Sequence, residues 1–64
     1  MRGKVKVYLD KGYGFIDVQG ESDMFFHINS LVDKSVEYIH QGQDVEFKIR
    51  STSRGLEAID VELV

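Results

Sequence analysis

The sequence contains no cysteine, no proline and no tryptophan. Without cysteine, neither a disulfide framework nor a thiolate metal site can reinforce the fold. Two histidines alone supply too few ligands for a metal, so neither metal nor cofactor is expected. No apolar run approaches the length of a membrane span, and the opening MRGKVKV has no leader-like apolar stretch. A soluble, cytoplasmic protein with no membrane partner is therefore expected. Catalytic constellations are missing as well. Ser22, Asp23 and His27 lie near one another only as common turn and strand residues, and KGYGF lacks the longer glycine-rich string and helix of a phosphate-binding loop. No enzymatic activity is expected. Repeats, linkers and low-complexity segments are also absent.

What remains is a single domain spanning residues 1–64. A chain of this length buries only about 60% of the surface its unfolded form exposes, so its core is small. The net charge of −3 argues at first against a polyanionic partner. Its distribution does not. Residues 1–16 hold Arg2, Lys4, Lys6 and Lys11 against Asp10 alone, a local balance of +3, while the rest of the chain sums to −6. Binding to a polyanion responds to the local field as well as to the total. The alternative is that four bases near a terminus are ordinary solvated surface.

The pattern along the chain is all-β. Val5, Val7 and Leu9 alternate with Lys4, Lys6 and Tyr8, the period-2 signature of a half-buried strand. After a turn at Asp10–Gly12, Tyr13 to Val18 form a second strand, with Gly14, Ile16 and Val18 on one face and Tyr13, Phe15 and Asp17 on the other. Gln19 to Ser22 is a turn by composition. Asp23 to Ile28 gives a third strand, with Met24, Phe26 and Ile28 opposite Phe25 and His27. Asn29 and Ser30 are suited to cap a short helical turn through Leu31 and Val32, and Ser35 to His40 reads as an irregular loop. Val45, Phe47 and Ile49 mark the fourth strand; Ile59, Val61 and Leu63 mark the inner face of the fifth, with Ala58, Asp60 and Glu62 outside. Five short one-sided strands cannot stay an open sheet at this size, because both edges would be unpaired. A small five-stranded antiparallel barrel resolves this, filled by Val5, Val7, Ile16, Val18, Met24, Phe26, Val45, Phe47, Ile49, Ile59, Val61 and Leu63.

This core leaves Tyr13, Phe15, Phe25 and His27 on the solvent face of two adjacent strands. Exposed aromatic patches are selected against unless they meet something. A flat set of rings beside lysines suits unstacked bases, each contributing roughly 1–3 kcal/mol on stacking, while phosphates meet the cations. Gly12 and Gly14 would let a base approach Tyr13 and the backbone closely. Two alternatives stay open: cross-strand packing between the rings, and a protein-binding surface.

These strings resemble those of bacterial cold-shock proteins, the cold-shock type of OB-fold, over essentially the whole chain. KGYGFI at 11–16 is similar to the family's first ribonucleoprotein motif, and MFFHI at 24–28 to its second. MRGKVKV, GQDVEF at 42–47 and RGLEA at 54–58 fall where family members have similar strings. RNA-recognition-motif domains share a KGYGF-like string but need two amphipathic helices and a longer chain. The resemblance implies a binder of single-stranded RNA or DNA, preferring pyrimidine-rich segments, that acts as an RNA chaperone on transcription and translation. It implies a monomer, with a strand-exchanged dimer left open. Carried over by motif position, Tyr13, Phe15, Phe25 and His27 are stacking residues with Lys4, Lys6 and Lys11 nearby, Asp23 bonds a base edge, Tyr38 extends the ring surface, and Arg54 is a loop cation. The chain departs from the family where Trp-Phe-Asn is replaced by Val7-Tyr8-Leu9, where Ile28 stands for a phenylalanine, and where Leu56 stands for a proline. Tyr8, on the face that alternation assigns to Lys4 and Lys6, is expected to substitute partly for the missing tryptophan. Two lost stacking contacts would cost roughly 2–6 kcal/mol at the full per-base value, so a weaker or differently selective binder is expected. A protein-interaction module on the same barrel is the second expectation.

Overall fold

The computed structural model describes residues 1–20, 23–36 and 38–64, so the expected turn residues Glu21 and Ser22, and Glu37 of the loop, lie outside the described residues. Five strands form: β1 (Arg2–Leu9), β2 (Tyr13–Asp17), β3 (Met24–His27), β4 (Asp44–Thr52) and β5 (Gly55–Leu63). They close into a barrel in the order β1-β2-β3-β5-β4. Every seam is antiparallel except the narrow one between β3 and β5, where Phe25 pairs with Glu57 in parallel. Closure removes the free edges that a five-stranded open sheet would present.

The alternation expected from the sequence holds through β2 and β3. Gly14, Ile16, Met24 and Phe26 are buried; Tyr13, Phe15 and Phe25 are half-buried and His27 is exposed. In β1 and β5 it breaks, each time for the same reason. Val5 pairs with Ile16 and Val7 with Phe15, so β1 carries one residue more than β2 across that step. A bulge of this kind shifts every later side chain to the opposite face. Val5 points inward, Val7 is 37% exposed rather than core, and Tyr8 turns in against the barrel interior. In β5 the extra residue falls between the pairs Glu46–Glu62 and Lys48–Ile59, and Asp60 takes a φ of 49°. Ala58 and Val61 are consequently the buried pair and Ile59 is half-buried; Leu63, past the bulge with Val61, is exposed as the last residue of β5. Ile49 is exposed too, because β4 beyond Phe47 is no longer covered by β1 and pairs with β5 alone.

The space vacated by Val7, Ile49 and Leu63 is filled from the long β3–β4 connection. Leu31 and Ile39 are buried and Val36 packs against the same cluster. Leu31 bridges Val61, and the Val32 N–H donates to the Val61 carbonyl at 2.9 Å. The helical turn sits at Ile28–Ser30, earlier than expected, and His27 rather than Asn29 or Ser30 caps it. Leaving the loop, Gln43 and Gly42 bond both backbone groups of Val5, so this segment runs along the edge of β1 remote from β2.

Gly14 fixes how tightly β1 and β2 close over Phe26. A Cβ built there would stand 2.4 Å from the Val7 carbonyl oxygen, 3.0 Å from Phe26 Cε1 and 3.1 Å from the Tyr8 Cα. Its bareness therefore serves the interior, not the approach of a base to Tyr13. Gly14→Ala is expected to lower stability by about 1–3 kcal/mol, the range for overpacking. Urea unfolding would measure it, and an unchanged midpoint would show that the close approach is not a constraint.

Candidate nucleic-acid interface

Because Gly14 and Phe26 face inward, their strand neighbours must face out. Pairing then sets Leu9, Tyr13 and His27 in one row across β1, β2 and β3, and Val7, Phe15, Phe25 and Glu57 in the next. Three of these rings touch one another. Tyr13 and Phe15 meet edge-on at 6.3 Å between centroids, Phe15 and Phe25 edge-on at 5.9 Å, and Tyr13 and Phe25 tilted at 5.7 Å. Such contacts contribute about 0.5–1.5 kcal/mol each beyond area burial. The surface is faceted rather than flat. The rings pack against one another across the strands, the first of the alternatives the sequence leaves open, and each stays half-exposed.

His27 is fixed by its own turn. Its Nδ1 accepts the Asn29 N–H at 3.1 Å, which leaves the proton of the neutral ring on Nε2. Lys11 is exposed in the turn just before Tyr13. Across β3, a shallow groove is lined by Phe25, Thr52, Ser53, Arg54, Leu56 and Glu57. Thr52 shapes the hairpin at its rim: its hydroxyl donates to the Gly55 carbonyl at 2.7 Å and accepts the Arg54 N–H at 3.2 Å. Folding thus brings Arg54 to the Phe25 side of the ring cluster.

The other N-terminal cations are less available than their sequence position suggests. Arg2 lies 3.9 Å from Glu46 and Lys4 bonds Asp44 at 2.7 Å, both across the β1–β4 seam. Lys6 reaches Asp23 at 2.9 Å. That carboxylate, by its hydrogen bond and then its charge, holds the Lys6 ammonium above the ordinary lysine value. Among the described residues, only Lys11 of the four N-terminal bases has no carboxylate within ion-pair distance. The local excess of +3 is largely cancelled in space.

Two expected members stand elsewhere. Tyr8 does not share a face with Lys4 and Lys6, because the β1 bulge turns it inward; its ring stacks on buried Phe26 at 6.3 Å. Tyr38, 57% exposed, meets Tyr8 edge-on at 5.9 Å and His40 at 5.0 Å. Among the described residues it makes no ring contact with Tyr13, Phe15 or Phe25. Lys4 lies at the Asp17 end of the sheet, tied to Asp44, away from the Tyr13–His27 row. Conversely, Val7 and Leu9 join the outer face at 37% and 36% exposure, and Glu57 lies beside Phe25. A bulge within KVKVYL leaves no local mark in the sequence, and the β3–β5 seam joins residues far apart in the chain.

A family profile described as 'Cold-shock' DNA-binding domain matches residues 1–64. The chain is 43% identical over 61 residues to Cold shock protein CspB of Bacillus caldolyticus, covering 94% of this chain and 92% of that one. It is 38% identical over 61 residues, with the same coverage, to Cold shock protein CspA of Staphylococcus saprophyticus. Among solved structures, one described as drosophila Unr CSD456 superposes with a TM-score of 0.82 at 28% identity, over 98% of this chain; the present chain spans 26% of that longer one.

The ion pairs at the foot of the sheet have a pH signature. The hydrogen bond from Lys4, then its charge, lowers the Asp44 carboxyl below the ordinary aspartate value of 3.8. Its contribution to stability is therefore complete above that value and is lost as pH falls through the lowered one. Titrating the carboxyl carbon by NMR should give a midpoint below 3.8, moving up in Lys4→Met. A midpoint indifferent to that substitution would contradict the pairing.

Proposed function

The chain belongs to the cold-shock domain family, and from that premise we propose that it binds single-stranded RNA or DNA by stacking bases on Tyr13, Phe15 and Phe25. Proteins of this family bind nucleic acid and are not enzymes. The observation that carries the proposal is the cluster itself: three mutually braced rings, half-exposed, on one face of β2 and β3. His27 extends the row with an Nε2–H donor. Lys11 and Arg54 flank the rings and meet phosphates, while the Lys6–Asp23 pair offers a donor and an acceptor to a base edge. Tyr38, joined to His40, adds a ring beyond the edge of β1, and Tyr8 supports it from below instead of stacking on bases. In the cell such a protein acts in the cytoplasm as a monomeric RNA chaperone, keeping messages unfolded for transcription and translation.

With few unpaired cations near the rings, stacking supplies more of the affinity than charge does. Exposed Val7 and Leu9 beside the rings favour one second reading, a protein-binding face. Titrating the protein with short single strands while following tyrosine fluorescence separates the two. Quenching is expected, and for two or three phosphate contacts the slope of log K against log salt should be about −1.4 to −2.1. Failure of every oligonucleotide to bind at low ionic strength would end the nucleic-acid proposal.

The same titration tests the rings. Phe15→Ala and Phe25→Ala should each weaken binding by roughly 1–3 kcal/mol, the value of one stacked base. Val7→Trp should strengthen it by a similar amount, because Val7 pairs with Phe15 on the outer face. Equal affinity in all three variants would locate binding elsewhere on the barrel.

A further inference from the structure

We propose that Glu57 gives this surface a base preference: its carboxylate accepts a hydrogen bond from the exocyclic amino group of a base stacked on Phe25. The inference rests on the stacking function proposed above and names the ligand class. Amino-bearing bases are favoured there, which among pyrimidines means cytosine over thymine and uracil.

Four observations place the group. Glu57 is the direct partner of Phe25 across the parallel β3–β5 seam. Both residues line the same groove, with Arg54 at its rim. The Glu57 side chain is only 17% exposed, unlike the other carboxylates in ion pairs on this barrel among the described residues. Finally, Arg50 is its cross-strand partner on β4, and both Nε and one terminal nitrogen of its guanidinium donate to the same oxygen, Oε1. No donor among the described residues reaches Oε2. One oxygen is thus anchored, which holds the carboxylate in a single orientation, and the other is left to accept.

An ionised carboxylate has acceptors only. Cytosine carries an amino donor at N4 where thymine and uracil carry the acceptor O4. Against Oε2, the first makes a charge-assisted hydrogen bond and the second sets two acceptors face to face. Arg54 in the same groove offsets the negative charge towards the phosphates of the strand. A glutamine at this position would read either base, because its amide both donates and accepts.

The test compares homo-oligomers of deoxycytidine and deoxythymidine at neutral pH, by fluorescence titration of the wild type, Glu57→Gln, Glu57→Ala and Phe15→Ala. The wild type should bind the cytosine oligomer tighter by roughly ten- to a hundredfold, the value of one hydrogen bond to a charged group. Glu57→Gln should abolish or reverse the ratio, and Glu57→Ala should narrow it towards one. Phe15→Ala should weaken both oligomers alike and keep the ratio. Thermal unfolding of each variant confirms the fold, and the wild-type ratio stands as a test without any substitution. Equal affinities in the wild type, a thymine preference, or a ratio untouched by Glu57→Gln overturns the role of Glu57 while leaving stacking intact. Absence of binding to both oligomers overturns stacking and the preference together.

Discussion

Tyr13 and Phe15 face solvent because the residue between them has no side chain and is pressed from within. The Val7 carbonyl, the Tyr8 backbone and the Phe26 ring occupy the volume that a Cβ at Gly14 would need. This close approach seats Phe26 at the centre of the barrel, and Phe26 in turn receives the Tyr8 ring. On the outer side, with β1 and β2 held this near, Phe15 and Tyr13 reach Phe25 on β3 and the three rings brace one another. One missing methyl group thus couples the core to the face proposed to bind.

Charge plays a different part from the one its sequence distribution suggests. The bases of β1 meet carboxylates delivered by β4 and by Asp23 just before β3, so they help to close the barrel instead of projecting a field. Exposed pairs of this kind contribute little individually, because water and salt screen them. Their consequence for the proposed binding is that each paired ammonium is less free to meet a phosphate. The proposed interface is accordingly a stacking surface with cations at its two flanks, Lys11 and Arg54. The Arg50–Glu57 pair is the exception, being the pair whose carboxylate is largely covered.

Much of this was legible in the residues. The strand count, the barrel, and the outward placement of Tyr13, Phe15, Phe25 and His27 all follow from an unbroken period of two in β2 and β3. The same rule misplaced Val7, Tyr8, Ala58 and Ile59, because one extra residue in β1 and one in β5 inverts the faces beyond it. Neither bulge leaves a local sign in composition; each exists because pairing on the neighbouring strand demands it. Leu31 and Ile39 escaped for a related reason: a loop has no periodicity from which burial could be inferred, and they are inside only because the barrel end needs filling.

The sequence by itself determined that this chain would be a small all-β barrel with rings on its surface, since alternation and chain length act locally and leave few other solutions. Tertiary structure decided which tyrosine is core and which is surface, which lysines are spent on neighbouring strands, and that Glu57 comes to rest beside Phe25. Those outcomes depend on register between strands distant in the chain, and register is set by packing of the whole barrel rather than by any segment of it.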